Sequence, residues 1–214
     1  VPVVALLFQT GYLTIKTKVR KNLRLVYRLG FPNAEVKEAF SQYLLADYMD
    51  DALDLNRIKY SSPLRDALEA HDFEAMQRIL TALYASVVYE LHERKSSTLP
   101  AKAEAKTRKA ESELLRKEMF YHAIFHVAMN ATGFRTESEI LTNLGRIDMA
   151  VETDETLYVF EFKVDASADI ALDQIMNKQY IEKYQATDFE IYAVGVNFDS
   201  TKRNITAIKQ KRIK

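Results

Sequence analysis

The spacing of apolar and polar positions predicts helices in the first half of the chain and alternating helices and strands in the second. Two β-rich segments at 11–15 and 23–27 come first, with a basic turn between them. Asn33 and Ser62-Pro63 then open helices. A longer helix is predicted from Asp72 to about Glu93, because its apolar residues recur every three or four positions. These residues are Phe73, Met76, Ile79, Leu80, Leu83 and Tyr84.

The second half reads as an α/β unit. An amphipathic helix is predicted from about Glu111 to Gly133, followed by three strands, a helix and two further strands. The strands are predicted near 134–140, 146–152, 157–163, 189–196 and 204–209, and the second helix at 167–184. This order predicts a mixed sheet with helices packed against it.

Two of these strands are joined by the polar loop Thr153-Asp154-Glu155-Thr156. If the loop closes a hairpin, the numbers of opposing residues add up to 309. Asp148 then faces Glu161, and Arg146 faces Lys163, on one side of the sheet. The alternate residues Ile147, Met149, Phe160 and Phe162 point together into a core.

Two carboxylates placed opposite each other repel, so a bound cation would stabilise the pair. Carboxylates suit a hard ion such as Mg²⁺, and a neighbouring lysine can stabilise charge on a phosphate. The pattern is therefore typical of a magnesium-dependent phosphodiesterase. The alternative is a solvated charged face without chemistry, which the hairpin taken alone favours.

Composition narrows the classes of function. The chain has 214 residues, enough for one large domain or two small ones with a buried core. Its 30 basic and 30 acidic residues cancel, so nucleic-acid binding would depend on local patches. No cysteine is present, which excludes thiolate chemistry and fits a reducing cytoplasm. No apolar run approaches the roughly 20 residues of a membrane span. The chain begins without methionine and in mid-pattern, as expected of a fragment.

The spacing Gly145-x-x-Asp148, Glu161-x-Lys163 and then a helix carrying Gln174 resembles the PD-(D/E)XK nuclease fold. More narrowly, it resembles the nuclease-like domain at the C-terminus of bacterial proteins whose N-terminal half is an AAA-type ATPase-like domain. Four stretches carry the narrower resemblance: Phe8–Ile15, Tyr27–Val36, Glu118–His122 and Gly195–Phe198.

The resemblance implies a restriction-endonuclease-like α/β core, a mixed central sheet flanked by helices, with an N-terminal α-helical and β-hairpin domain. It implies a helical, winged-hairpin connector at 1–95, a linker at 96–110 and the nuclease-like domain at 111–214. The partners it implies are DNA and an ATPase-like domain upstream in the same full-length chain, with no membrane. The oligomeric state stays open.

The resemblance also implies roles for single residues in phosphodiester hydrolysis. Mg²⁺ or Mn²⁺ would be held by Asp148, Glu161 and the backbone carbonyl of Phe162. Lys163 would be the catalytic lysine, and Glu118 and Gln174 would assist it.

Several alternatives stay open. The domain could be a catalytically silent module that binds nucleic acid or protein for an ATPase, or a structural scaffold with a solvated acidic face. Glu118, His122 and His126 share one helix face and could instead bind zinc, or His122 could border the nuclease site. Lys178, four residues after Gln174, could meet the same phosphate. The basic tail at 202–214 could contact DNA or protect an edge strand.

Overall fold

The computed structural model describes residues 2–21, 24–49, 53–87, 105–142, 145–178 and 180–214. The N-terminal part contains a short helix, a β-hairpin and a group of helices. Its elements are α1 (Val3–Gln9), β1 (Thr14–Lys21), β2 (Arg24–Gly30), α2 (Ala34–Met49), α3 (Leu53–Asn56), a π-helical turn (Arg57–Ser61), α4 (Ser62–Glu69) and α5 (Phe73–Ser86).

The hairpin differs from its prediction in extent. The first strand was expected at 11–15 but runs from Thr14 to Lys21, antiparallel to β2. Threonine and valine alternate with the lysines and arginines there, so the basic segment expected as a turn continues the ladder. A bulge lies between Ile15 and Thr17.

The predicted helix starts are confirmed by hydrogen bonds. Asn33 Oδ1 accepts a bond of 3.0 Å from the Val36 amide, which caps α2. Asp72 Oδ1 accepts one of 2.8 Å from Ala75 and caps α5 in the same way. Positions 88–93, which the prediction assigned to this last helix, lie outside the described residues.

The C-terminal part contains two helices, a short 3₁₀ turn and five strands. Its elements are α6 (Ala105–Ala131), β3 (Arg135–Leu141), β4 (Arg146–Glu152), β5 (Thr156–Val164), α7 (Ala168–Asn177), the 3₁₀ turn (Glu182–Tyr184), β6 (Glu190–Asp199) and β7 (Asn204–Arg212). Within the described ranges, no helix has the length and apolar character needed to cross a membrane.

Two helix boundaries differ from prediction. The helix α6 begins at Ala105, inside the predicted linker at 96–110, whose first part lies outside the described residues. The helix α7 ends at Asn177 rather than near Tyr184, and a 3₁₀ turn occupies part of the remaining segment.

The five strands form one sheet in the order β3-β4-β5-β6-β7. The β5–β6 pair is parallel, and the other three pairs are antiparallel. The chain reaches β6 from β5 through α7, as a parallel pair requires a crossover. The predicted mixed sheet is therefore confirmed.

Each face of the sheet is covered by a separate apolar cluster. One cluster joins Phe160 of β5 to α6 through Phe125 and to the N-terminal helices through Leu45, Leu64 and Leu80. The segments predicted as connector and nuclease-like domain thus share this core, and their division stays a prediction. The cluster on the opposite face is covered by α7 and includes Leu157, Val159, Ile175, Tyr180 and Ile191.

The backbone of α7 lies unusually close to β6. A Cβ atom placed on Gly195 would overlap the Ala168 carbonyl oxygen and lie 2.7 Å from the Leu172 amide nitrogen. Both are backbone atoms, so neither can rotate away. Gly195 therefore sets the distance between this helix and the sheet.

We expect Gly195→Ala to lower the free energy of unfolding by about 1–3 kcal/mol or more, because the methyl group overpacks the contact between α7 and β6. Urea denaturation measures this change. Gly30→Ala is the matched control, since an added Cβ there meets the flexible side chain of Lys16 at 3.1 Å. If the two substitutions lowered the free energy of unfolding equally, Gly195 would not set the distance between α7 and β6.

Candidate active site

The carboxylate of Glu161 lies at the centre of the candidate site. Glu161 is in β5, on the face covered by α7, and only 2% of it is exposed. The Gln174 amide, from α7, donates a hydrogen bond to Glu161 Oε1. Lys163 Nζ lies 3.4 Å from the same oxygen. The other oxygen, Oε2, is buried and accepts no hydrogen bond from the described residues.

This environment disfavours the charged form of Glu161. Burial, reinforced by the Asp148 carboxylate, raises the pKa of Glu161 to about 7, and Lys163 opposes the shift. A buried carboxylate with an unbonded oxygen costs free energy when it ionises. A cation at Oε2 would remove that cost.

Asp148 contacts β5 through its side chain and not through a backbone pair. The β4–β5 ladder follows the predicted register from Glu152–Leu157 to Met149–Phe160 and ends there. The expected backbone pair of Asp148 with Glu161 is not part of this ladder. Instead, Asp148 Oδ2 accepts a hydrogen bond of 2.9 Å from the Phe162 amide.

The Phe162 carbonyl leaves the strand on the same side as its amide, as in any hydrogen-bonded antiparallel pair. The amide points to Asp148. The Phe162 carbonyl is therefore expected on the side of β5 that faces β4.

The ladder ends because β4 is irregular at Asp148. Ile147 packs in the cluster beneath α7, whereas Met149 packs in the cluster on the opposite face. The prediction that both residues share one core is therefore wrong for Ile147. Glu139, which lies opposite Asp148 on β3, has a φ of 58°, and its carboxylate pairs with Arg146. This left-handed residue accompanies the local break in alternation.

His122 of α6 makes an aromatic contact next to the candidate site. The ring of His122 lies 4.6 Å from that of Phe162. Burial lowers the pKa of His122, although Asp148 and Glu118 oppose the shift. Burial and the charge of Lys37 lower the pKa of His126 to about 4. Among the described residues, no three His, Asp or Glu side chains form a cluster that could hold a metal ion.

Gln174 and Glu118, the two residues predicted to assist catalysis, differ in their contacts with the carboxylates of the site. Gln174 bonds directly to Glu161. Glu118 lies near enough to His122 to influence its pKa, but within the described chain no hydrogen bond or ion pair joins it to Asp148 or Glu161. Lys178 lies over the Tyr180 ring, 5.9 Å from its centroid, and affects Glu161 only through its charge.

The donors present fit a hard divalent ion. They are carboxylate oxygens and a backbone carbonyl, and one of them, Glu161 Oε2, is buried without a hydrogen-bond partner among the described residues. The two carboxylates alone do not complete a coordination sphere. Mg²⁺ usually keeps several waters and meets substrate phosphates, so this incomplete set is compatible with it.

Sequence reasoning did not assign Gly195 a part in the site. In the parallel register Gly195 is the partner of Glu161, on the same face of the sheet. Its missing side chain lets α7 approach and brings Gln174 to Glu161. A single glycine within an apolar strand is the signal that could have identified it.

Residues 116–208 match the family model of the PD-(D/E)XK nuclease superfamily. The chain is also 33% identical over 203 residues to a protein of Azotobacter chroococcum mcd 1 named "Uncharacterized protein in vnfD 5'region". The alignment covers 94% of this chain and 36% of that protein, so the chain spans about a third of its relative's length.

The match and the sheet agree. The mixed five-stranded sheet with its flanking helices is consistent with a restriction-endonuclease-like PD-(D/E)XK fold, and the predicted fold class is confirmed. The matched range contains Asp148, Glu161, Lys163, Gln174 and Glu118. The family match supports a nuclease-like function.

We expect the stability of the metal-free protein to fall as pH rises from about 4.5 to about 7. The folded pKa of Glu161 is raised from 4.5 to about 7, so the native state binds this proton more tightly than the unfolded chain. The contribution is complete below about pH 4.5 and is lost as pH passes about 7. It amounts to about 3 kcal/mol.

Urea unfolding in EDTA at about pH 5 and about pH 8 measures this effect. Glu161→Gln should lose the pH-dependent part, because the amide has no proton to release in this range. The control is Glu155→Gln, which changes an exposed glutamate in the loop of the same hairpin. If the free energy of unfolding depended on pH identically in the wild type and in Glu161→Gln, the raised pKa of Glu161 would be refuted.

Proposed function

We propose that this chain is a metal-dependent phosphodiesterase that hydrolyses the backbone of DNA. The observation that carries the proposal is Oε2 of Glu161, which is buried beside Asp148 and Lys163 and has no hydrogen-bond partner among the described residues. The match of residues 116–208 to a nuclease superfamily supports the same reaction class.

In this proposal Mg²⁺ or Mn²⁺ would be held by the carboxylates of Asp148 and Glu161 and by the carbonyl of Phe162. The ion would supply an acidified water and would offset charge on the scissile phosphate. The hydrogen bond from the Phe162 amide to Asp148 Oδ2 holds that carboxylate against β5. The Gln174 amide fixes Glu161 by donating a hydrogen bond to Oε1, so that Oε2 stays available to the metal.

Lys163 is the proposed catalytic cation. It lies on the same face of β5 as Glu161, with its ammonium group 3.4 Å from Oε1. About a quarter of its side chain is exposed, so it can reach a phosphate from its present position. There it would stabilise the negative charge that develops during hydrolysis. Glu118, which lies near His122 on α6, is proposed to assist.

We further propose that the chain acts within a longer cytoplasmic protein that carries an ATPase-like domain upstream. The resemblance of Phe8–Ile15 and Tyr27–Val36 to the segment joining ATPase and nuclease supports this arrangement. In the same proposal, residues 1–95 form the connector, 96–110 the linker and 111–214 the nuclease-like domain.

Cleavage of plasmid DNA and of labelled oligonucleotides with Mg²⁺ or Mn²⁺ tests the mechanism. We expect Asp148→Ala and Lys163→Ala each to lower the cleavage rate at least about a hundred-fold, since one removes a metal ligand and the other the catalytic cation. Asp154→Ala and Lys183→Ala change exposed residues of the same types and should cleave like the wild type. Activity that survives both site substitutions would exclude this mechanism.

The second candidate function is a catalytically silent module that binds nucleic acid or protein for an ATPase. The observation that favours it is the net charge of zero, which provides no overall attraction for DNA. This alternative needs no metal at Asp148 and Glu161. Metal binding therefore separates the two functions without depending on a substrate.

We expect Mn²⁺ to raise the midpoint of thermal unfolding of the wild type but not of Asp148→Ala. A ligand that binds only the folded state stabilises it by about 2.7 kcal/mol at a hundred times its Kd. Differential scanning calorimetry with Asp154→Ala as the control measures the shift. Equal shifts in the wild type and Asp148→Ala, or no shift in either, would favour the silent module.

A further inference from the structure

The positive charge of the chain is concentrated at its N-terminal end. Residues 1–34 contain six basic and no acidic residues, and the first acidic residue is Glu35. The remaining 180 residues carry 24 basic and 30 acidic residues, a net charge of −6. All six basic residues lie between Lys16 and Arg28, in β1 (Thr14–Lys21) and β2 (Arg24–Gly30), the antiparallel pair that we call the basic hairpin.

The basic hairpin is exposed on both sides. Its register places Lys18 opposite Tyr27 and Arg20 opposite Leu25 on one face. The other face carries Arg28 opposite Thr17, next to the pair of Val19 with Val26. Apolar side chains are exposed as well: Val19 is 53%, Leu25 55% and Val26 48% exposed. An isolated two-stranded hairpin is marginally stable in water, so a partner that covers it would stabilise it.

The cations of the basic hairpin are available to a partner. Lys16 Nζ donates to the Pro32 carbonyl oxygen at 3.2 Å, and Lys18 Nζ lies 6.0 Å from the centroid of the Tyr27 ring. Across the described part of the chain, neither these lysines nor Arg20, Arg24 and Arg28 form an ion pair with a carboxylate. A row of cations without carboxylate partners attracts a polyanion.

The dimensions of the basic hairpin fit a nucleic-acid duplex. Cations two residues apart on one face, such as Lys18 and Arg20, are separated by about 7 Å along the strand. The major groove of B-DNA admits a two-stranded β-ribbon between its two rows of phosphates. Both faces of this ribbon carry cations, so both rows of phosphates can be contacted at once.

The basic hairpin is linked through α2 to β3, the strand next to Asp148. Tyr12 and Phe31 hold it against α2 by packing on Phe40, with ring centroids 5.6 and 5.5 Å apart. One turn earlier in α2, Lys37 Nζ donates to the Thr136 carbonyl oxygen of β3 at 2.9 Å. Thr136 is three residues from Glu139, the residue opposite Asp148, or roughly 10 Å along the strand.

We propose that the basic hairpin is the element that binds the DNA duplex, by its phosphate backbone, for the nuclease-like site. The inference rests on the proposed function for its substrate class, but its physical basis is the separate concentration of positive charge before Glu35. DNA contacts would then be made by the N-terminal segment, outside the residues that match the nuclease superfamily.

Fluorescence anisotropy with a labelled duplex in EDTA tests the proposal, since binding is then measured without cleavage. The variant Lys18→Gln, Arg20→Gln, Arg24→Gln, Arg28→Gln removes four cations and keeps long polar side chains. We expect its Kd to rise at least about tenfold at low salt. The slope of log K against log salt should fall by about 0.9 for each phosphate that the variant no longer neutralises.

The matched control is Lys209→Gln, Lys211→Gln, which removes exposed cations from β7, the strand of the basic tail. It should keep the affinity and salt slope of the wild type. Circular dichroism of all variants checks that they fold.

Three outcomes would overturn the proposal: wild-type affinity in the four-site variant, an equal loss of affinity in the β7 control, or competition by polyglutamate as effective as that by DNA. The last result would identify an acidic protein as the partner. Duplex binding that depends on the hairpin, without metal-dependent cleavage, would support this inference and contradict the proposed function. Metal-dependent cleavage of DNA, combined with wild-type affinity of the four-site variant for the duplex, would support the proposed function and contradict this inference.

Discussion

The candidate site depends on the close contact between the backbone of α7 and Gly195. The parallel register of β5 and β6 places Gly195 beside Glu161 on one face of the sheet. Because Gly195 has no side chain, α7 lies directly on that face, buries Glu161 and brings Gln174 to its Oε1. The same packing therefore creates both the raised pKa of the carboxylate and the hydrogen bond that orients it. A cation at Oε2 would be stabilised by burial that the fold already imposes.

The net charge is zero, but positive and negative residues are concentrated in different parts of the chain. The zero net charge combines a basic segment before Glu35 with an acidic remainder. Asp148 and Glu161 alone would repel a phosphate, and Lys163 offsets only part of their charge. A nuclease built on such a site needs cations elsewhere to hold its substrate, because phosphate contacts supply most of the affinity for DNA. The zero net charge is thus compatible with either candidate function. The distribution of charge along the chain is a better guide to DNA binding than the net charge.

The sequence predicted the structure correctly where a single local signal, such as a turn or a helix cap, determined it. The polar loop at 153–156 fixed the register of the β4–β5 hairpin, and Asn33 and Asp72 marked helix starts that hydrogen bonds confirm. The alternation rule failed at Ile147, where the chain departs from regular strand geometry opposite Glu139. A glutamate with positive φ has no signature in sequence, since that conformation is rare for it. The early end of α7 and the approach at Gly195 depend on packing between distant segments. Local patterns do not contain that information.

The energetics of Glu161 bear on the choice between catalysis and a silent module. A buried acceptor without a partner costs about 1–3 kcal/mol, and more when it is charged. Glutamine has nearly the same shape, carries no charge, and would remove the cost of ionisation. In a module that only binds a partner, the carboxylate at this position gains no more than its ion pair with Lys163. A site that must hold a divalent ion gains more, because the ion needs the negative charge and compensates for its burial. The unfavourable burial of Glu161 is therefore easier to explain by a metal-dependent reaction than by a binding role alone.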